Sequence, residues 1–536
     1  MIFDAAFEKY KDNLLAEDEN GLTVRYNDVI PFSEKLFAGL EKKTLIFIIC
    51  SNTIGSLLGY LSALYRGIVP LLIPESINKD RLKELIDTYA PACIYAPETF
   101  ACAFSENVAA VEAAAGTENA ADAGKDEAAA AVDSGKADRV GNAVCAGDGA
   151  AAEVTSGTGA AVVCEDAAAS RNYGYRMHFL TYKDGSGPVS AEELNPDLAL
   201  LLMTSGSTGS PKLVRQTAAN ISANAESIAE YLELSESERP VTVLPMNYTY
   251  GLSVINSHVI SGACIIMTTR NILERAFWEQ VMAKKVTSLV GVPFTYKMLE
   301  RVEFRSMELP ALRYMTQAGG RLPEELQERY AQYAAERHIR FYIMYGQTEA
   351  TARMAYLPPD KCLEKRGSIG IAIPGGCFSI EDDDGSAVTE PGMSGELVYR
   401  GANVTMGYAV CRADLKLGDD WHGVLHTGDM ARTDEDGFYY ITGRKKRFIK
   451  LFGNRVSLDE MEKLFAARFA EAGIVFACTG SDDHLKLYTD SKLPDTEDLM
   501  TDYFVEVTGF TPKAIEVIAL DSIPRNDAGK IIYAAL

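Results

Sequence analysis

The sequence predicts an α/β protein with a large N-terminal domain of parallel α/β sheets, a β-rich subdomain and a small α+β C-terminal domain. Three observations lead to this prediction. Short apolar runs of strand length alternate with amphipathic segments of helix length, which is typical of a mostly parallel sheet. The 536 residues are too many for one compact core, so two or more domains are expected. After Ile369 the apolar runs become short and are separated by glycines, which indicates the β-rich part.

The N-terminal domain contains a predicted buried βαβ unit. Its strands are residues 45–50 and 69–73, and its helix is residues 54–65. Polar residues and glycines interrupt this apolar stretch, so a membrane-spanning helix is the less favoured interpretation. The other strands predicted in this domain are 198–203, 241–244, 263–267, 288–290 and 339–344, and the other helices are 221–232, 274–284 and 323–337.

The β-rich subdomain and the C-terminal domain follow in the chain. The subdomain includes predicted strands at 377–381 and 395–400. In the C-terminal domain, Ser457 and Glu460 form the pattern of a capping box, which predicts the start of a helix. The strands predicted after this helix are 474–479, 485–489 and 514–520.

Residues 101–172 differ in composition from the rest of the chain. They are rich in alanine, glycine, aspartate and glutamate, and poor in basic residues. Such a segment buries too little apolar surface to offset the entropy lost on ordering. We therefore predict a disordered surface insertion, with a transient helix or a partner-binding segment as alternatives.

Charge and cysteine usage restrict the class of protein. The formal net charge of −23 argues against nucleic acid and against an anionic membrane surface as partners. The ten cysteines form no CxxC pair, and reduced, mostly buried thiols in a cytoplasmic protein are expected. The N-terminus lacks a basic region followed by an apolar segment, so no signal peptide is expected.

A glycine-rich run, TSGSTGSPK at residues 204–212, directly follows the predicted strand 198–203. Glycines let the backbone approach phosphate oxygens, and successive N–H groups form an anion-binding nest. Hydroxyl groups and a lysine add donors and charge. A flexible polar loop is the alternative, and the missing GxxxxGK[ST] spacing disfavours a P-loop NTPase. The candidate phosphate-binding residues are Thr204, Ser205, Gly206, Ser207, Thr208, Gly209 and Lys212.

Three shorter motifs carry further polar groups, and each is weak by itself. In YGQTE, after the strand 339–344, Thr348 could donate to a phosphate and Glu349 could hold Mg²⁺. Asp429, in TGD, is an acceptor suited to a ribose diol, and Arg444 is a second candidate contact with ribose or phosphate. Lys530, in PRNDAGK, is either a mobile cation or an exposed tail residue.

Together and in this order, the motifs resemble those of the adenylate-forming superfamily, which includes acyl-CoA synthetases, luciferases and adenylation domains of peptide synthetases. The resemblance extends from about Leu45 to Lys530, apart from the alanine-rich segment. It implies an AMP-binding N-terminal domain at 1–443 and a mobile lid domain at 447–536, with a hinge at Lys446. It also implies an enzyme that uses ATP and Mg²⁺ to convert a carboxylic acid into an acyl-adenylate and then passes the acyl group to a thiol.

The resemblance also implies a role for each motif. The run 204–212 would bind the β- and γ-phosphates, and Tyr345 and Gly346 would contact the nucleotide, with Tyr345 stacked on adenine. Thr348 would contact the α-phosphate, Glu349 would bind Mg²⁺, and Asp429 and Arg444 would hold the ribose. The segment QAGGRLP would line the acyl pocket and flank the adenine through Ala318, Gly319 and Gly320.

Three positions concern the C-terminal domain in particular. Lys530 resembles the catalytic lysine that bridges the carboxylate and the α-phosphate during adenylation. In the family the small domain rotates between the half-reactions, and Lys450 and Arg455 fall where the rotated domain would face the thioester-forming site. A solvated basic strand is the alternative for Lys450 and Arg455.

The acyl-pocket segment departs from the family pattern. The family often has LPLFHxYG, whereas residues 244–251 read LPMNYTYG. Tyr248 replaces the histidine common in acyl-CoA synthetases and the aspartate that binds an α-amino group, which disfavours α-amino acids as substrates. The predicted walls of a mixed apolar and aromatic pocket are Tyr248, Val292, Pro293, Gln317 and Met344. Ordinary core packing is the alternative for each of them.

The favoured function is therefore that of an acyl-CoA synthetase, with a small carboxylic acid and coenzyme A as substrates. One alternative is a stand-alone adenylation enzyme that loads the phosphopantetheine of a carrier protein. The other is a nucleotide-binding protein without catalysis, which would need neither Lys530 nor Glu349. Neither nucleic acid nor a membrane span is expected.

Overall fold

The computed structural model describes residues 2–100, 154–155, 160–165, 172–182, 187–204, 212–445, 447–451, 454–481, 484–525 and 531–536. The helices in these ranges are α1 (Asp4–Lys9), α2 (Val29–Leu36), α3 (Ile54–Arg66), α4 (Lys79–Tyr89), α5 (Ala218–Leu232), α6 (Thr249–Ile260), α7 (Arg275–Ala283), α8 (Pro293–Arg301), α9 (Glu324–Glu336), α10 (Leu458–Arg468) and α11 (Thr496–Thr508). Among the described residues, no helix combines the length and the apolar character needed to cross a bilayer.

The strands in the described ranges belong to six sheets. They are β1 (Leu14–Glu17), β2 (Thr23–Arg25), β3 (Leu45–Cys50), β4 (Val69–Pro74), β5 (Cys93–Pro97), β6 (Val154–Thr155), β7 (Ala160–Glu165), β8 (Tyr175–Tyr182), β9 (Leu198–Met203), β10 (Leu213–Thr217), β11 (Ile265–Ile266), β12 (Ser288–Gly291), β13 (Tyr314–Gln317), β14 (Arg340–Tyr345), β15 (Ala355–Leu357), β16 (Ile371–Ala372), β17 (Gly376–Glu381), β18 (Gly395–Gly401), β19 (Tyr408–Ala409), β20 (Val424–Thr433), β21 (Tyr439–Arg444), β22 (Phe448–Leu451), β23 (Asn454–Ser457), β24 (Phe476–Ser481), β25 (His484–Thr489) and β26 (Ile515–Ala519).

The largest sheet has nine strands in the order β19-β10-β9-β4-β3-β5-β8-β7-β6. Its central strands β9, β4, β3 and β5 are parallel, and the strands outside them are antiparallel to their neighbours. The predicted βαβ unit is present as β3, α3 and β4. Helix α3 begins where the Thr53 side chain accepts a hydrogen bond from the Ser56 N–H, and it ends at Gly67, whose φ of 69° suits a residue without Cβ.

A second sheet has five strands in the order β12-β13-β14-β15-β16. Strands β12, β13 and β14 are parallel, whereas β15 and β16 are antiparallel additions at one edge. Helices α8 and α9 connect the parallel strands. The carboxyl ends of the three parallel strands therefore meet at one edge, which is where ligands bind in open α/β sheets.

The expected β-rich part is a four-stranded antiparallel sheet in the order β17-β18-β20-β21. The C-terminal residues form a β22–β23 hairpin and a three-stranded sheet of β24, β25 and β26, with α10 and α11 packed against them. Ser457 caps α10 by accepting a hydrogen bond from the Glu460 N–H. This C-terminal part has its own core, in which Phe465, Leu487 and Phe504 are fully buried.

The predicted strand at 241–244 is wrong. Val241 forms only an isolated bridge with Ile266, and its neighbour Pro240 forms another with Ser288. Proline has no N–H group to donate, so the ladder does not extend from this point. The predicted strand at 263–267 is correspondingly reduced to β11.

The expectation of disorder for 101–172 is also wrong in part. Strands β6 and β7 lie inside this range, and β7 pairs with β8 over six residues, from Ala160↔Tyr182 to Glu165↔Met177. Strand β8 of the main sheet supplies hydrogen-bond partners for the backbone groups of β7, and composition alone does not indicate such a partner. Most of the remaining residues of the range lie outside the described residues.

Candidate active site

Three of the predicted motifs follow the three parallel strands of the five-stranded sheet. Val292 and Pro293 follow β12, the segment 318–320 follows β13, and YGQTE begins with the last residue of β14. The register places Gly291 opposite Gln317 and Gln317 opposite Ile343. These segments therefore lie side by side at the carboxyl edge of the sheet, which defines the candidate site.

The turn after β14 has a tightly constrained backbone. A Cβ on Gly346 would lie 1.8 Å from the carbonyl oxygen of Ala352, so only glycine fits there. Thr351 has φ 64° and ψ −54°, and the Ala352 N–H bonds to the Ala350 carbonyl oxygen at 2.7 Å, which is the geometry of a γ-turn. This turn fixes the short 3-10 helix Thr348–Ala350, which carries Thr348 and Glu349.

Asp429 connects the YGQTE turn to the β-rich sheet. Its Oδ2 atom accepts hydrogen bonds from the Tyr345 hydroxyl at 2.6 Å and from Gln347 Nε2 at 3.0 Å. Its Oδ1 atom is 3.3 Å from Nε of Arg444, its register partner across β20 and β21. Gln347 Nε2 also donates to the Thr427 carbonyl oxygen at 3.1 Å. Asp429, Arg444 and Tyr345 are therefore brought together, although they come from separate parts of the chain.

Burial controls the ionisation of this group. Asp429 is only 6% exposed, and burial raises the pKa of its carboxyl group, while the charge of Arg444 opposes the shift. Burial, together with the Asp429 charge, raises the pKa of the Tyr345 hydroxyl. The Arg444 side chain remains 65% exposed. The cluster therefore offers a half-buried aromatic ring beside a buried carboxyl group and an accessible guanidinium.

Tyr408 connects Glu349 to the glycine-rich run. Its hydroxyl donates to Glu349 Oε1 at 2.6 Å, and the Lys212 ammonium lies 5.2 Å from the centre of its ring. The N–H and the hydroxyl of Thr204 both donate to the Lys212 carbonyl oxygen at 3.1 Å, which closes the base of the run between β9 and β10. Residues 205–211 lie outside the described residues. A carboxylate bonded to the tyrosine hydroxyl and a lysine over its ring are suited to a divalent cation and a phosphate chain, respectively.

Arg215 holds β19 in place. Its side chain is fully buried and donates to the carbonyl oxygens of Tyr408 at 3.1 Å and Met406 at 2.9 Å. It also forms an ion pair with Asp420 at 2.6 Å. Val214, the neighbour of Arg215 in β10, is the register partner of Tyr408. Arg215 thus fixes the backbone from which Tyr408 reaches Glu349.

The residues predicted to form the acyl pocket lie close together beside this edge. Gly319 has φ 79°, and a Cβ there would lie 2.5 Å from the Tyr248 hydroxyl and 3.0 Å from Val292 Cγ1. A Cβ on Gly320 would lie 3.2 Å from Pro293 Cγ. The segment 318–320 therefore has to be small at these positions to approach Tyr248 and α8.

Gln317 and Met344 complete the predicted set. Gln317 Nε2 donates to the Gly320 carbonyl oxygen at 2.8 Å, whereas its buried Oε1 has no hydrogen-bond partner among the described residues. Met344 Sδ accepts a hydrogen bond from the Tyr231 hydroxyl at 3.1 Å. Met344, Val292 and Ala318 belong to one buried apolar cluster, against which Tyr248 packs.

Several predicted residues cannot be placed relative to these groups. Lys446 and Lys530 lie outside the described residues, as do Ser205, Gly206, Ser207, Thr208 and Gly209. Lys450 and Arg455 are register partners in the β22–β23 hairpin. In the C-terminal part, Lys463 of α10 donates to the Thr442 carbonyl oxygen at 3.2 Å, two residues before Arg444.

Two residues of the site were missed by sequence reasoning. Tyr408 lies in none of the predicted motifs, and Gln347 lies in YGQTE without a predicted role of its own. The only local signal for Tyr408 is the glycine before it, and this signal is weak because a tyrosine after glycine is as compatible with a turn as with a ligand contact. Their partners lie far away in sequence, so only the folded chain identifies them.

Glu349 fits a magnesium site of the kind that uses few protein ligands. The described residues contain no group of three or more His, Cys, Asp or Glu side chains placed to hold a metal ion. Mg²⁺ commonly uses one or two carboxylates, with substrate phosphates and water as the other ligands. The single half-buried carboxylate of Glu349 meets this requirement.

Comparisons with known proteins identify the family of this chain. The family model described as AMP-binding enzyme matches residues 31–409. The 2-succinylbenzoate–CoA ligase of Bacillus licheniformis is 31% identical over 350 residues, which are 63% of this chain and 69% of the relative. The long-chain-fatty-acid–CoA ligase of Escherichia coli O157:H7 is 30% identical, over 68% of this chain and 64% of the relative.

The fold also matches a solved structure. The o-succinylbenzoate coenzyme A synthetase of Bacillus subtilis, in complex with ATP and magnesium ion, superposes with a TM-score of 0.69 at 19% identity. The match covers 98% of both chains. The order of the motifs and the family match give one conclusion: this chain belongs to the AMP-binding enzyme family of the adenylate-forming superfamily, and it is an acid–thiol ligase.

Proposed function

We propose that this enzyme activates a carboxylic acid with ATP and Mg²⁺ as an acyl-adenylate, releases pyrophosphate, and transfers the acyl group to coenzyme A. The main support is the arrangement at the carboxyl edge of the five-stranded sheet. There the Tyr345–Asp429–Arg444 group and the Tyr408–Glu349 pair lie on segments adjacent to the predicted acyl pocket. The names of the relatives, which are ligases that use coenzyme A, support the same reaction.

The nucleotide would lie between the YGQTE turn and the β-rich sheet. Tyr345 offers its ring to adenine while its hydroxyl stays bonded to Asp429. The Asp429 carboxylate and the exposed Arg444 guanidinium, whose Nε lies 3.3 Å from Asp429 Oδ1, would bind the ribose hydroxyls. Thr348 would donate to the α-phosphate. The run 204–212 would bind the β- and γ-phosphates through backbone N–H groups, hydroxyls and Lys212.

The first half-reaction brings two anions together. A carboxylate oxygen attacks the α-phosphorus, the bond from that phosphorus to the bridging oxygen breaks, and pyrophosphate leaves. Glu349 would hold the Mg²⁺, which neutralises phosphate charge when bound. Lys530 would neutralise the charge that develops between the carboxylate and the α-phosphate.

The second half-reaction uses the activated acyl group. The thiolate of coenzyme A attacks the acyl carbon, the bond from that carbon to the phosphate oxygen breaks, and AMP leaves. We propose that rotation of residues 447–536 about Lys446 removes Lys530 and presents the β22–β23 hairpin, with Lys450 and Arg455, to the site. We also propose a cytoplasmic location, since five of the described cysteines are buried free thiols: Cys50, Cys93, Cys264, Cys362 and Cys478.

The test is pyrophosphate release from Mg-ATP with a panel of short, medium, aromatic and amino acids, each with and without coenzyme A. We expect release that requires one class of acid and that is faster with coenzyme A. Release that is indifferent to coenzyme A would instead indicate a carrier-protein thiol as acceptor. ATP binding without release for any acid would contradict the proposal and favour nucleotide binding without catalysis.

A further inference from the structure

Arg353 is a buried cation that none of the proposed roles uses. It lies four residues after Glu349, and only 2% of its surface is exposed. Its backbone is fixed by Asn224, whose Nδ2 donates to the Arg353 carbonyl oxygen at 2.8 Å, and by Asn403, whose Nδ2 donates to the same oxygen at 3.2 Å. The side chain therefore leaves the turn in a defined direction, into the packed interior.

The guanidinium has few partners. Its Nη1 donates to the Tyr231 hydroxyl at 3.0 Å, and its carbon lies 5.2 Å from the centre of the Tyr250 ring. Its Nε is buried and has no hydrogen-bond partner in the described part of the chain. A cation–π contact and one neutral hydrogen bond compensate only part of the cost of removing a guanidinium from water.

Among the described residues, no acidic side chain compensates the charge. Arg353 forms no ion pair with any aspartate or glutamate that the structure describes. Burial and the charge of Glu238 raise the pKa of Tyr314, but Glu238 is itself paired with Arg313 at 2.6 Å. Buried charges are normally paired, so a lone buried guanidinium indicates a missing anion.

The position of the guanidinium indicates where that anion comes from. The Tyr231 hydroxyl that accepts from Arg353 also donates to Met344, a predicted pocket wall. The Tyr250 ring beneath the guanidinium lies 6.4 Å from the ring of Tyr248, another predicted wall. The Tyr250 hydroxyl contacts Thr316, which directly precedes Gln317. Arg353 thus lies behind three walls of the predicted acyl pocket.

We propose that Arg353 binds a second carboxylate at the inner end of the acyl substrate, so that the enzyme selects dicarboxylic acids. The use of the dicarboxylic acid in the reaction rests on the proposed function. Its binding to Arg353 does not, because binding can be measured without turnover. A guanidinium matches a carboxylate with two parallel hydrogen bonds, and the unused Nε is one of the donors available for them. The carboxylate that reacts with ATP would be the other one, at the edge of the sheet.

The experiment compares acids that differ only in the second carboxylate. Suitable pairs are 2-succinylbenzoate with 4-oxo-4-phenylbutanoate, and linear α,ω-dicarboxylates with monocarboxylates of equal length. We expect kcat/KM of the natural enzyme for pyrophosphate release to favour the dicarboxylate of at least one pair by roughly 100-fold. In Arg353→Met this preference should fall to less than about 10-fold, mainly through loss of activity with the dicarboxylate.

Binding gives a readout that does not depend on turnover. A dicarboxylate should raise the melting temperature of the natural enzyme but not that of Arg353→Met. Without ligand, Arg353→Met should melt at the same temperature as the natural enzyme or higher, because an unpaired buried charge has been removed. Arg353→Lys keeps the charge without the two-pronged geometry and should retain part of the preference. Arg275→Met, which changes a side chain that is 92% exposed, is the matched control and should change neither measurement.

The outcomes separate this inference from the proposed function. Equal use of both members of every pair, or a preference unchanged in Arg353→Met, would overturn the role of Arg353 and leave the ligase reaction intact. Absence of pyrophosphate release with every acid would overturn the reaction. In that case a dicarboxylate-induced rise in melting temperature that requires Arg353 would still support the binding role, and no rise in the natural enzyme would refute it.

Discussion

The hydroxyl of Tyr408 donates a 2.6 Å hydrogen bond to Glu349 Oε1, which joins two segments of the chain that are 59 residues apart. Tyr408 stands in β19, beside the strand that leaves the glycine-rich run, and Glu349 stands in the turn after β14. Burial, together with the charge of Glu349, raises the pKa of the Tyr408 hydroxyl, so it remains a donor at neutral pH. The bond therefore sets the orientation of the carboxylate that we propose as the Mg²⁺ ligand.

Replacing Tyr408 by phenylalanine should weaken the use of Mg²⁺. A hydrogen bond to a charged group contributes about 1.5–3 kcal/mol, so we expect kcat to fall about 10-fold or more and half-saturation to need several-fold more Mg²⁺. Titration of pyrophosphate release with Mg²⁺ measures both quantities. Tyr440→Phe, which removes a hydroxyl bonded to Asp434 at 3.2 Å, is the control and should keep the natural titration curve. Identical curves for both variants would refute a positioning role for Tyr408.

Replacing Asp429 by asparagine should weaken ATP binding. The change removes the charge that faces Arg444 and one of the acceptors that hold Tyr345 and Gln347. We expect the dissociation constant for ATP, measured by calorimetry, to rise roughly 10- to 100-fold. Asp434→Asn changes a carboxylate paired with Lys365 at 3.1 Å, and it should leave ATP affinity unchanged. Natural ATP affinity in Asp429→Asn would contradict the ribose-binding role.

Replacing Lys530 by alanine should separate catalysis from binding. The proposed role of Lys530 is to stabilise charge that develops during adenylation, so adenylate formation should fall sharply, on the order of 100-fold. ATP binding by calorimetry should remain close to natural, because the run 204–212 and the Tyr345–Asp429–Arg444 group are unchanged. Unchanged turnover in this variant would end the mechanistic assignment.

His258 should make the stability depend on pH. It is almost fully buried, its Nδ1 lies 2.7 Å from the Val254 carbonyl oxygen, and its Nε2 lies 2.7 Å from the Tyr314 hydroxyl. A neutral ring that donates from Nδ1 and accepts at Nε2 satisfies both contacts. Burial lowers the pKa of His258 to about 4, from an ordinary value of 6.5.

The direction of the pH effect follows from this lowered pKa. Between about pH 6.5 and pH 4 the unfolded chain binds a proton at position 258 and the folded chain does not. The free energy of unfolding should therefore decrease as the pH is lowered from about 6.5 to about 4, by about 3 kcal/mol in total from this residue. Urea unfolding at several pH values measures it, and His258→Gln should be less stable at pH 7 but show a shallower decline. Parallel pH profiles for the two proteins would contradict the assignment.

Local signals in the sequence were sufficient for much of the fold. The limits of β3 and β9 were predicted to the residue, because a mostly buried strand is a continuous apolar run with polar residues on both sides. Capping residues such as Ser457 predicted the start of α10. The weakest predictions were those that depended on a partner strand. Residues 241–244 have the apolar content of a strand but lie next to Pro240, and β7 became a strand by pairing with β8.

The sequence by itself determined the family, the order of the motifs and the chemical character of each one, because these depend on residue type and local spacing. The tertiary structure decided which groups meet. It placed Asp429 opposite Arg444 and within hydrogen-bonding distance of Tyr345, it brought Tyr408 to Glu349, and it left the buried Nε of Arg353 without a hydrogen-bond partner among the described residues. These contacts join residues far apart in the chain, and no local pattern encodes them. They arise because β20 and β21 of the β-rich sheet and β19 of the nine-stranded sheet pack beside the turn that follows β14, where their side chains come within hydrogen-bonding distance of Tyr345 and Glu349.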